Sequence, residues 1–192
     1  MTETTDTPSP LLSVTELLRG RRTVHNFQPE CPPKGAILRA VELARWAPNH
    51  HKTEPWRFHL LGPETAAKIV DLNAELVTAR KGPEHGEHKR NRWSQVPGWL
   101  AVTCVRSEDE QRQLEDYAAC CCAVHNFSLA LWSEGIGVKW GTGDVTRDPR
   151  FFELLDLSPE SHFVVGLFWF GYPADIPEQR RKPVEDIFSE LP

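Results

Sequence analysis

The sequence lacks both a long apolar segment and an excess of positive charge. Its 192 residues carry 22 Lys and Arg against 27 Asp and Glu, for a net charge of −5. Such a balance does not supply the basic field that neutralises nucleic-acid phosphates. No apolar run approaches the ~20 residues that span a bilayer, and the acidic start at residues 1–6 has no signal-peptide pattern. The sequence therefore predicts a cytoplasmic protein with neither nucleic-acid nor membrane partners.

Several catalytic and metal-binding motifs are missing as well. No Gly-x-Ser-x-Gly elbow occurs, and no Cys lies in a recognisable nucleophile signature, so acyl transfer has no support. His85 and His88 lack the helical context and third ligand of a zinc-binding HExxH motif. The adjacent His50 and His51 do not easily reach one ion from the same face. We therefore predict no metal site.

Cysteine occurs five times, and three of these residues are consecutive at 120–122 within a helical pattern. Neighbouring side chains of a helix point apart and do not form a disulfide with each other. We interpret these cysteines as reduced, small apolar residues of a buried helix. Redox or metal chemistry is the alternative.

The chain does carry enough apolar residues for a core, 40% of its composition, and their spacing predicts one α+β domain over residues 11–192 after a disordered segment at 1–10. Residues 81–98 are predicted to form a long charged loop, either a lid, a binding loop or a mobile arm. The Pro-rich tail, about 173–192, is predicted to pack on a partner subunit because it cannot fold alone. The predicted elements are a helix ending at Gly20, a helix from Pro32 to Pro48, a strand at 56–61, a helix after Pro63, a strand at 99–105, a long helix at 110–134 covered on all sides, a short helix at 149–155 and a strand at 163–170.

A glycine-rich stretch, Gly135 to Gly143, follows the long helix. Its GxGxxxG spacing, and its position after a helix rather than between a strand and a helix, exclude the dinucleotide-binding fingerprint. We expect an open turn that presents N–H groups to a ligand, with simple helix termination as the alternative.

Three polar segments stand out from this pattern. Arg21, Arg22 and Thr23 leave the first helix together, and their guanidinium and hydroxyl groups suit a phosphate. A loop at 47–56, which contains two prolines, holds two His and a Lys. Enclosing these polar side chains costs free energy unless a ligand interacts with them. The third segment is the basic run at 180–182. Each cluster of charge alone is also typical of a solvated surface.

Taken in order, these segments resemble the nitroreductase family of FMN-dependent oxidoreductases, over about residues 11–188. The loop with Asn49, His50, His51 and Lys52 is closest to the compact branch of the family, whose loop reads Pro-Asp-His-Lys before Gln-Pro-Trp. The matching motifs are Arg-Arg-Ser-x-Arg-x-Phe at 21–27, Pro-Ser-x-x-Asn-x-Gln-Pro-Trp at 48–56, Gly-x-Gly-x-x-Trp at 135–140, Gly-x-Pro at 171–173 and a closing basic, Pro and acidic motif at 181–187.

The resemblance implies a nitroreductase-like α+β fold, with a small mixed sheet around a long central helix, in an intertwined homodimer with two FMN sites at its interface. It implies an enzyme that passes electrons from NADH or NADPH through FMN to nitroaromatic, quinone or other small acceptors. No catalytic acid or base is expected, because the flavin carries the chemistry. The alternatives are a specialised FMN-dependent dehydrogenase, an oxygen-dependent flavin enzyme, and a non-catalytic flavin carrier.

The resemblance also implies the cofactor-binding residues. Arg21 and Thr23 would hold the FMN phosphate, with Arg22 nearby and Arg181 reaching it from the tail. His50 would lie against the ribityl chain or the ring. The other side of the cofactor would be lined by Trp140, Gly141 and Thr142.

Two further members of the predicted site depart from the family pattern. His25 stands where many members carry Arg or Lys near flavin N1 and O2, so the positive charge at this position is weaker or depends on pH. Lys52 and Glu54 replace the usual Asn and Gln. Lys52 either supplies the missing positive charge or pairs with Glu54, and the sequence does not decide between the two.

Overall fold

The fold is a four-stranded sheet with helices on both faces, and the computed structural model describes it over residues 13–192. The predicted disordered segment at 1–10 lies outside these residues. Within 13–192, no helix combines the length and apolar character needed to cross a membrane. The elements are α1 (Val14–Gly20), α2 (Lys34–Ala44), β1 (Trp56–Leu60), α3 (Pro63–Lys81), α4 (Pro83–Trp93), β2 (Gly98–Val105), α5 (Glu110–Ser133), β3 (Gly137–Gly141), α6 (Pro149–Leu154) and β4 (His162–Gly171), with short 3₁₀ turns at His50–Lys52, Asp144–Arg147 and Val184–Asp186.

The strands lie in the order β1, β2, β4, β3, and every neighbouring pair is antiparallel. One isolated parallel bridge joins Thr23 to Val138 of β3. The predicted α+β fold is confirmed, and the sheet, predicted to be mixed, is mixed only through this bridge. Because β1 and β3 are its two edges, residues attached to these strands lie on opposite sides of the domain.

The central strands β2 and β4 are buried on both faces, which accounts for their nearly continuous apolar sequences. Alternate residues of β2 contact two separate apolar clusters. Leu100 and Val102 pack with α2 and α5, where Phe127 is fully buried. Trp99 and Ala101 pack with α3 and α6 on the other face.

Residues 83–93 form α4, where the sequence predicted a loop. Gly82 ends α3 with a φ of 93°, a conformation that favours glycine. Pro83 follows as the first residue of α4, a position that proline favours. α4 packs back on α3 through Gly86, where a Cβ would overlap the Thr78 side chain. The helix was missed because this contact uses a small residue and leaves no apolar stripe in the sequence.

Residues 137–141 form β3, where the sequence predicted an open turn. Gly137 allows the chain at Val24 to lie against this strand, since a Cβ at residue 137 would overlap the valine side chain. Glycine weakens a strand pattern because it has no side chain that alternates between the faces. The missed strand is the one that positions most of the candidate site.

Helix α5 buries one face, where the sequence predicted a helix covered on all sides. Ala119, Ala123 and Phe127 face the sheet, whereas the side chains of Leu114 and Tyr117 are exposed. An amphipathic helix whose outer face still carries large apolar residues has a surface suited to another protein chain.

Candidate functional site

The chain leaves α1 at Arg21, a half-buried residue beside two further arginines. Burial lowers the pKa of Arg21, and repulsion from Arg181 and Arg22 lowers it further. No Asp or Glu within residues 13–192 forms an ion pair with any of the three. A half-buried guanidinium gathered with like charges, and without a carboxylate, is an electrostatic site for an anion.

Arg22 is turned back onto the end of α1. Its Nη1 donates hydrogen bonds to the carbonyls of Arg19 at 2.5 Å and Arg21 at 2.9 Å. The last carbonyls of a helix lack partners within the helix, and Arg22 satisfies two of them. Arg22 therefore stabilises the turn, whereas the side chain of Arg21 has no hydrogen-bond acceptor among the described residues.

The tail brings Arg181 to the same place. Phe27 bridges Pro173 directly after β4, and the Ala174 N–H donates to the Asn26 carbonyl at 3.0 Å. From there the tail runs back toward Arg21, where Arg181 is close enough to repel it. The structure thus brings together two residues 160 positions apart that the family resemblance assigned to one phosphate.

The segment from Arg21 to His25 lies beside β3. Thr23 bridges Val138, and the Val24 N–H donates to the Val138 carbonyl at 3.2 Å. The predicted site residues that this pairing groups along one sheet edge are Arg21, Arg22, Thr23, His25, Trp140, Gly141 and Thr142.

Trp140 lies across the backbone of β4. Its indole Nε1 donates to the Val165 carbonyl at 3.0 Å, and its ring centroid is 5.4 Å from that of Phe168. This placement requires Gly166, because a Cβ there would overlap the indole. The side chain of Trp140 remains 38% exposed. Gly166 was not identified from the sequence, since a glycine in a buried strand gives no sign of the ring that covers it.

Lys139 was not predicted as a site residue, and the structure places it near His25. Its Nζ lies 3.8 Å from the centroid of the Trp169 ring, a cation–π contact. In a strand Lys139 points to the face opposite Val138 and Trp140. The alternation of side chains along a strand could have revealed this orientation of Lys139 from the sequence. It was not considered because the stretch was interpreted as a turn.

The loop around His50 has an unusual backbone. His51, Lys52 and Glu54 have φ values of 63°, 55° and 45°, which residues other than glycine rarely adopt. The Asn49 side chain holds this conformation: it accepts from the Glu54 N–H at 2.7 Å and donates to the His50 carbonyl at 3.1 Å. Within residues 13–192 no ion pair joins Lys52 to Glu54, so the pairing considered from the sequence does not form.

Thr53 ties the same loop to α5. Its Oγ1 donates a hydrogen bond to Oδ1 of Asp116, a carboxylate that is only 4% exposed. His51 Nε2 lies 3.7 Å from Glu115 Oε2 in the preceding position of α5. The loop is therefore fixed at the start of α5 and leads into β1.

The predicted site residues accordingly form two groups at opposite edges of the sheet. Three strand spacings, about 14 Å in all, separate β1 from β3. His50 and Lys52 form the β1 group. The other eight predicted residues belong to the β3 group, and one chain does not bring the two groups together.

Three side chains with metal-binding atoms lie together at the same edge of the sheet as the β1 group. The ligand atoms of His50, His51 and Glu115 all lie within 4.8 Å of one another, and the two imidazole centroids are 4.0 Å apart. The left-handed backbone at His51 makes this possible. The geometry corrects the argument that these adjacent histidines do not reach a common point, and the absence of a metal site stays a prediction.

A large apolar cavity of about 830 Å³ lies between α3, α4 and the ends of β1 and β2. Trp93, Trp99 and Phe170 are part of its wall, and none of the ten predicted cofactor residues is. A smaller cavity of about 150 Å³ lies between α4 and β3, lined in part by Lys139 and Gly141. Cavity size alone therefore does not locate the predicted site.

Comparison with known proteins gives the family. Residues 18–172 match the model of the nitroreductase family. The chain belongs to the nitroreductase family. It is 33% identical over 182 residues to the Bacillus subtilis (strain 168) protein named "Putative NAD(P)H nitroreductase YfhC", and the match covers 92% of this chain and 93% of that protein. The resemblance inferred from the sequence motifs is confirmed.

Solved structures of nitroreductases share the fold. The nitroreductase-like family protein from Bacillus cereus superposes with a TM-score of 0.83 at 28% identity, covering 95% of this chain and 98% of its own. A Desulfovibrio desulfuricans protein, described as a nitroreductase in complex with FMN, has a TM-score of 0.74 over 97% of this chain and 99% of its own. At 20% identity the second comparison shows the fold alone.

Proposed function

We propose that this nitroreductase-family chain is an FMN-dependent NAD(P)H oxidoreductase that passes electrons to nitroaromatic, quinone or other small acceptors. The observation that carries the proposal is the cluster of Arg21, Arg22 and Arg181 beside β3, which no carboxylate within residues 13–192 neutralises. The names of similar proteins agree with it: the Bacillus subtilis relative is named "Putative NAD(P)H nitroreductase YfhC", and the Desulfovibrio protein is described in complex with FMN.

The arginine cluster fits the phosphate end of FMN. Arg21 offers an unused guanidinium, which donates parallel hydrogen bonds to phosphate oxygens, and Thr23 adds a hydroxyl two residues away. Arg181 supplies a second charge from the tail. Arg22 fixes the turn through the carbonyls of Arg19 and Arg21 instead of binding the anion itself.

The neighbouring part of β3 fits an aromatic ring. Trp140 presents a partly exposed indole, the half-buried Gly141 carries no side chain, and Thr142 follows directly in the chain. His25 lies near Lys139, the residue that precedes Trp140 in β3. FMN held by these residues would supply the redox chemistry between the nicotinamide and the acceptor. In this proposal the residues of this chain bind and orient the cofactor, and no side-chain acid or base is required.

A second copy of the chain completes the site in this proposal. His50 and Lys52 lie at the opposite sheet edge from Arg21, so they contact the same cofactor only from another subunit. Exposed apolar side chains support a homodimer: Leu114 and Tyr117 on α5, and the large apolar residues of the tail. We propose that the tail, about 173–192, packs on the partner subunit beyond Arg181.

The tail gives a test of the dimer. Ile187 and Phe188 are 79% and 63% exposed in the single chain. Replacing both by Ser should raise the dimer dissociation constant at least about 100-fold, since burying each side chain is worth roughly 2 kcal/mol. Sedimentation equilibrium measures this constant, with Glu190→Gln as a matched tail variant that keeps the apolar residues. A full-length, FMN-loaded protein that sediments as a monomer would overturn the dimer.

The proposed activity is tested on purified protein. The apoprotein should bind added FMN and turn yellow, and anaerobic NADH or NADPH should then bleach the flavin absorbance. Adding a nitroaromatic or a quinone should restore the colour as electrons leave. Protein that stays colourless with excess FMN would contradict the proposal, and yellow protein that neither nucleotide bleaches would indicate a flavin carrier.

A further inference from the structure

The cavity between α4 and β3 is lined mainly by apolar side chains. Its walls contain Trp93, Leu167 and Trp169, and the two indole rings pack edge to face with their centroids 5.2 Å apart. The volume is about 150 Å³, and an apolar cavity of that size in another protein holds a benzene molecule. The space therefore fits a single aromatic ring.

The wall of this cavity carries one charge. Among the described residues that line it, Lys139 is the one charged side chain. The hydroxyl of Thr146 donates to the Gly143 carbonyl at 2.8 Å, so its proton is already used. The Lys139 side chain is half-buried, and its Nζ lies 3.8 Å from the centroid of the Trp169 ring. A ligand in the cavity therefore meets a single ammonium group in an otherwise apolar wall.

The charged groups around Lys139 are mainly positive. Lys89 and Arg92 of α4 repel it, and Lys139 in turn repels His25 beside β3. Within residues 13–192 no Asp or Glu forms an ion pair with Lys139.

The acids near the cavity interact with other groups. Asp175 of the tail acts on His25. Asp144, in the 3₁₀ turn that borders the cavity, pairs with Arg80 and Arg147. The positive charge at the cavity is therefore left for a ligand to neutralise.

The chemistry of the wall defines the ligand. A half-buried ammonium without a counter-ion costs free energy, and an anion bound beside it removes much of that cost. A carboxylate matches the single charge of Lys139, whereas a phosphate group carries about two charges and three acceptor oxygens. The tryptophans favour an aromatic body, because aromatic rings pack well against one another at an edge or an offset face.

We infer that this cavity binds a small aromatic carboxylate, with the ring against Trp93 and Trp169 and the carboxylate on the Lys139 ammonium. The site is additional to the cofactor site of the proposed function. Lys139 points to the sheet face opposite Trp140, against which the proposed function places the flavin ring. Gly141 is the one proposed cofactor residue that also lines the cavity.

Binding should depend on pH through Lys139. Burial, and then repulsion from Arg92 and Lys89, lowers the pKa of Lys139 to about 8. The charged ammonium attracts the carboxylate below this pH, and the neutral amine does not attract it above. The association constant should therefore be nearly constant well below pH 8 and fall by up to about tenfold per pH unit above it. Burial, and then repulsion from Lys139 and Arg92, lowers the pKa of His25, so His25 stays mainly neutral above about pH 7.

The test titrates benzoate into the full-length protein by isothermal titration calorimetry, at about pH 7 and constant ionic strength. Benzamide keeps the ring but lacks the charge, and acetate keeps the charge but lacks the ring. Each should bind at least about tenfold more weakly than benzoate, because each loses one of the two contacts. Benzoate that shows no saturable binding up to about 10 mM would overturn the inference.

Three variants test the role of the charge. Lys139→Met keeps an apolar side chain on Trp169. It should bind benzoate at least about tenfold more weakly, bind benzamide as the wild type does, and show no fall in affinity near pH 8. Arg92→Met should move that fall to higher pH, because less repulsion raises the pKa of Lys139. Lys68→Met removes an exposed lysine of α3 as the matched control. Equal benzoate affinities for Lys139→Met and Lys68→Met would overturn the inference.

Repeating the titration with saturating FMN separates this site from the cofactor site. Benzoate should bind with the same affinity with and without FMN, since the two ligands occupy opposite faces of the sheet. Displacement of benzoate by FMN would overturn this inference and leave the proposed function intact. Protein that binds benzoate as described but never binds FMN would overturn the proposed function and leave this inference standing.

Discussion

Replacing Arg21 by Ala should abolish retention of FMN while leaving the chain folded. The Arg21 guanidinium has no acceptor among the described residues and is half-buried beside Arg181, so its removal relieves repulsion within the protein. Two charge-assisted hydrogen bonds to phosphate are lost, worth about 3 kcal/mol together, which weakens FMN binding on the order of 100-fold. Fluorescence quenching of FMN by the apoprotein measures this loss.

Arg19→Ala is the matched control for this change. Arg19 lies two residues earlier in the last turn of α1, is exposed, and contributes its carbonyl rather than its side chain to the contact with Arg22. Its FMN affinity should equal that of the wild type. If Arg21→Ala bound FMN as tightly as Arg19→Ala does, the phosphate would lie elsewhere. Unchanged urea unfolding of both apoproteins would show that the fold is intact.

The second large effect is expected from Thr53→Val. The Thr53 hydroxyl is the hydrogen-bond donor to Asp116, and no other partner of this carboxylate is found within residues 13–192. Valine keeps the shape but leaves a carboxylate that is 4% exposed without a donor. The loss should lower the free energy of unfolding by about 1–3 kcal/mol. The urea midpoint of the apoprotein measures it.

Thr53→Ser keeps the hydroxyl and serves as the control. The same loop contains three residues with left-handed backbone, whose conformations cost roughly 1–3 kcal/mol each unless the surroundings impose them. Loss of the Thr53 contact should therefore also mobilise His50 and weaken FMN binding, by less than Arg21→Ala does. Equal urea midpoints for the Val and Ser variants would mean that Asp116 is satisfied without Thr53.

The sequence identified elements whose side chains alternate or repeat in a regular way. The strands Gly98–Val105 and His162–Gly171 and the helix Glu110–Ser133 are close to their predicted bounds, because long apolar runs and helical spacing determine them locally. It did not identify α4 or β3. Both depend on a glycine that lets two segments approach closely, Gly86 against α3 and Gly137 against Val24, and such contacts are invisible in a linear pattern.

The residues of the candidate site likewise fall into those that the sequence predicted and those that it did not. Arg21, Thr23 and Arg181 were chosen from motifs, and the structure places Arg181 near Arg21 and Thr23 beside β3. Arg22 belongs to the same motif, yet it turns back to the end of α1. The contact of Lys139 with Trp169 and its nearness to charged residues of α4 were not predicted, because only folding brings these residues together.

By itself, the sequence determined the family, the α+β class and the chemical types of the groups that would hold a phosphate, because these follow from residue identity and local spacing. Only the tertiary structure decided which guanidinium is free, that His50 and Lys52 lie at the opposite sheet edge from Arg21, and that Lys139 is a half-buried cation with a lowered pKa. The physical reason is that burial, hydrogen-bond partners and electrostatic fields arise from segments far apart in the chain, and they exist only once those segments pack together.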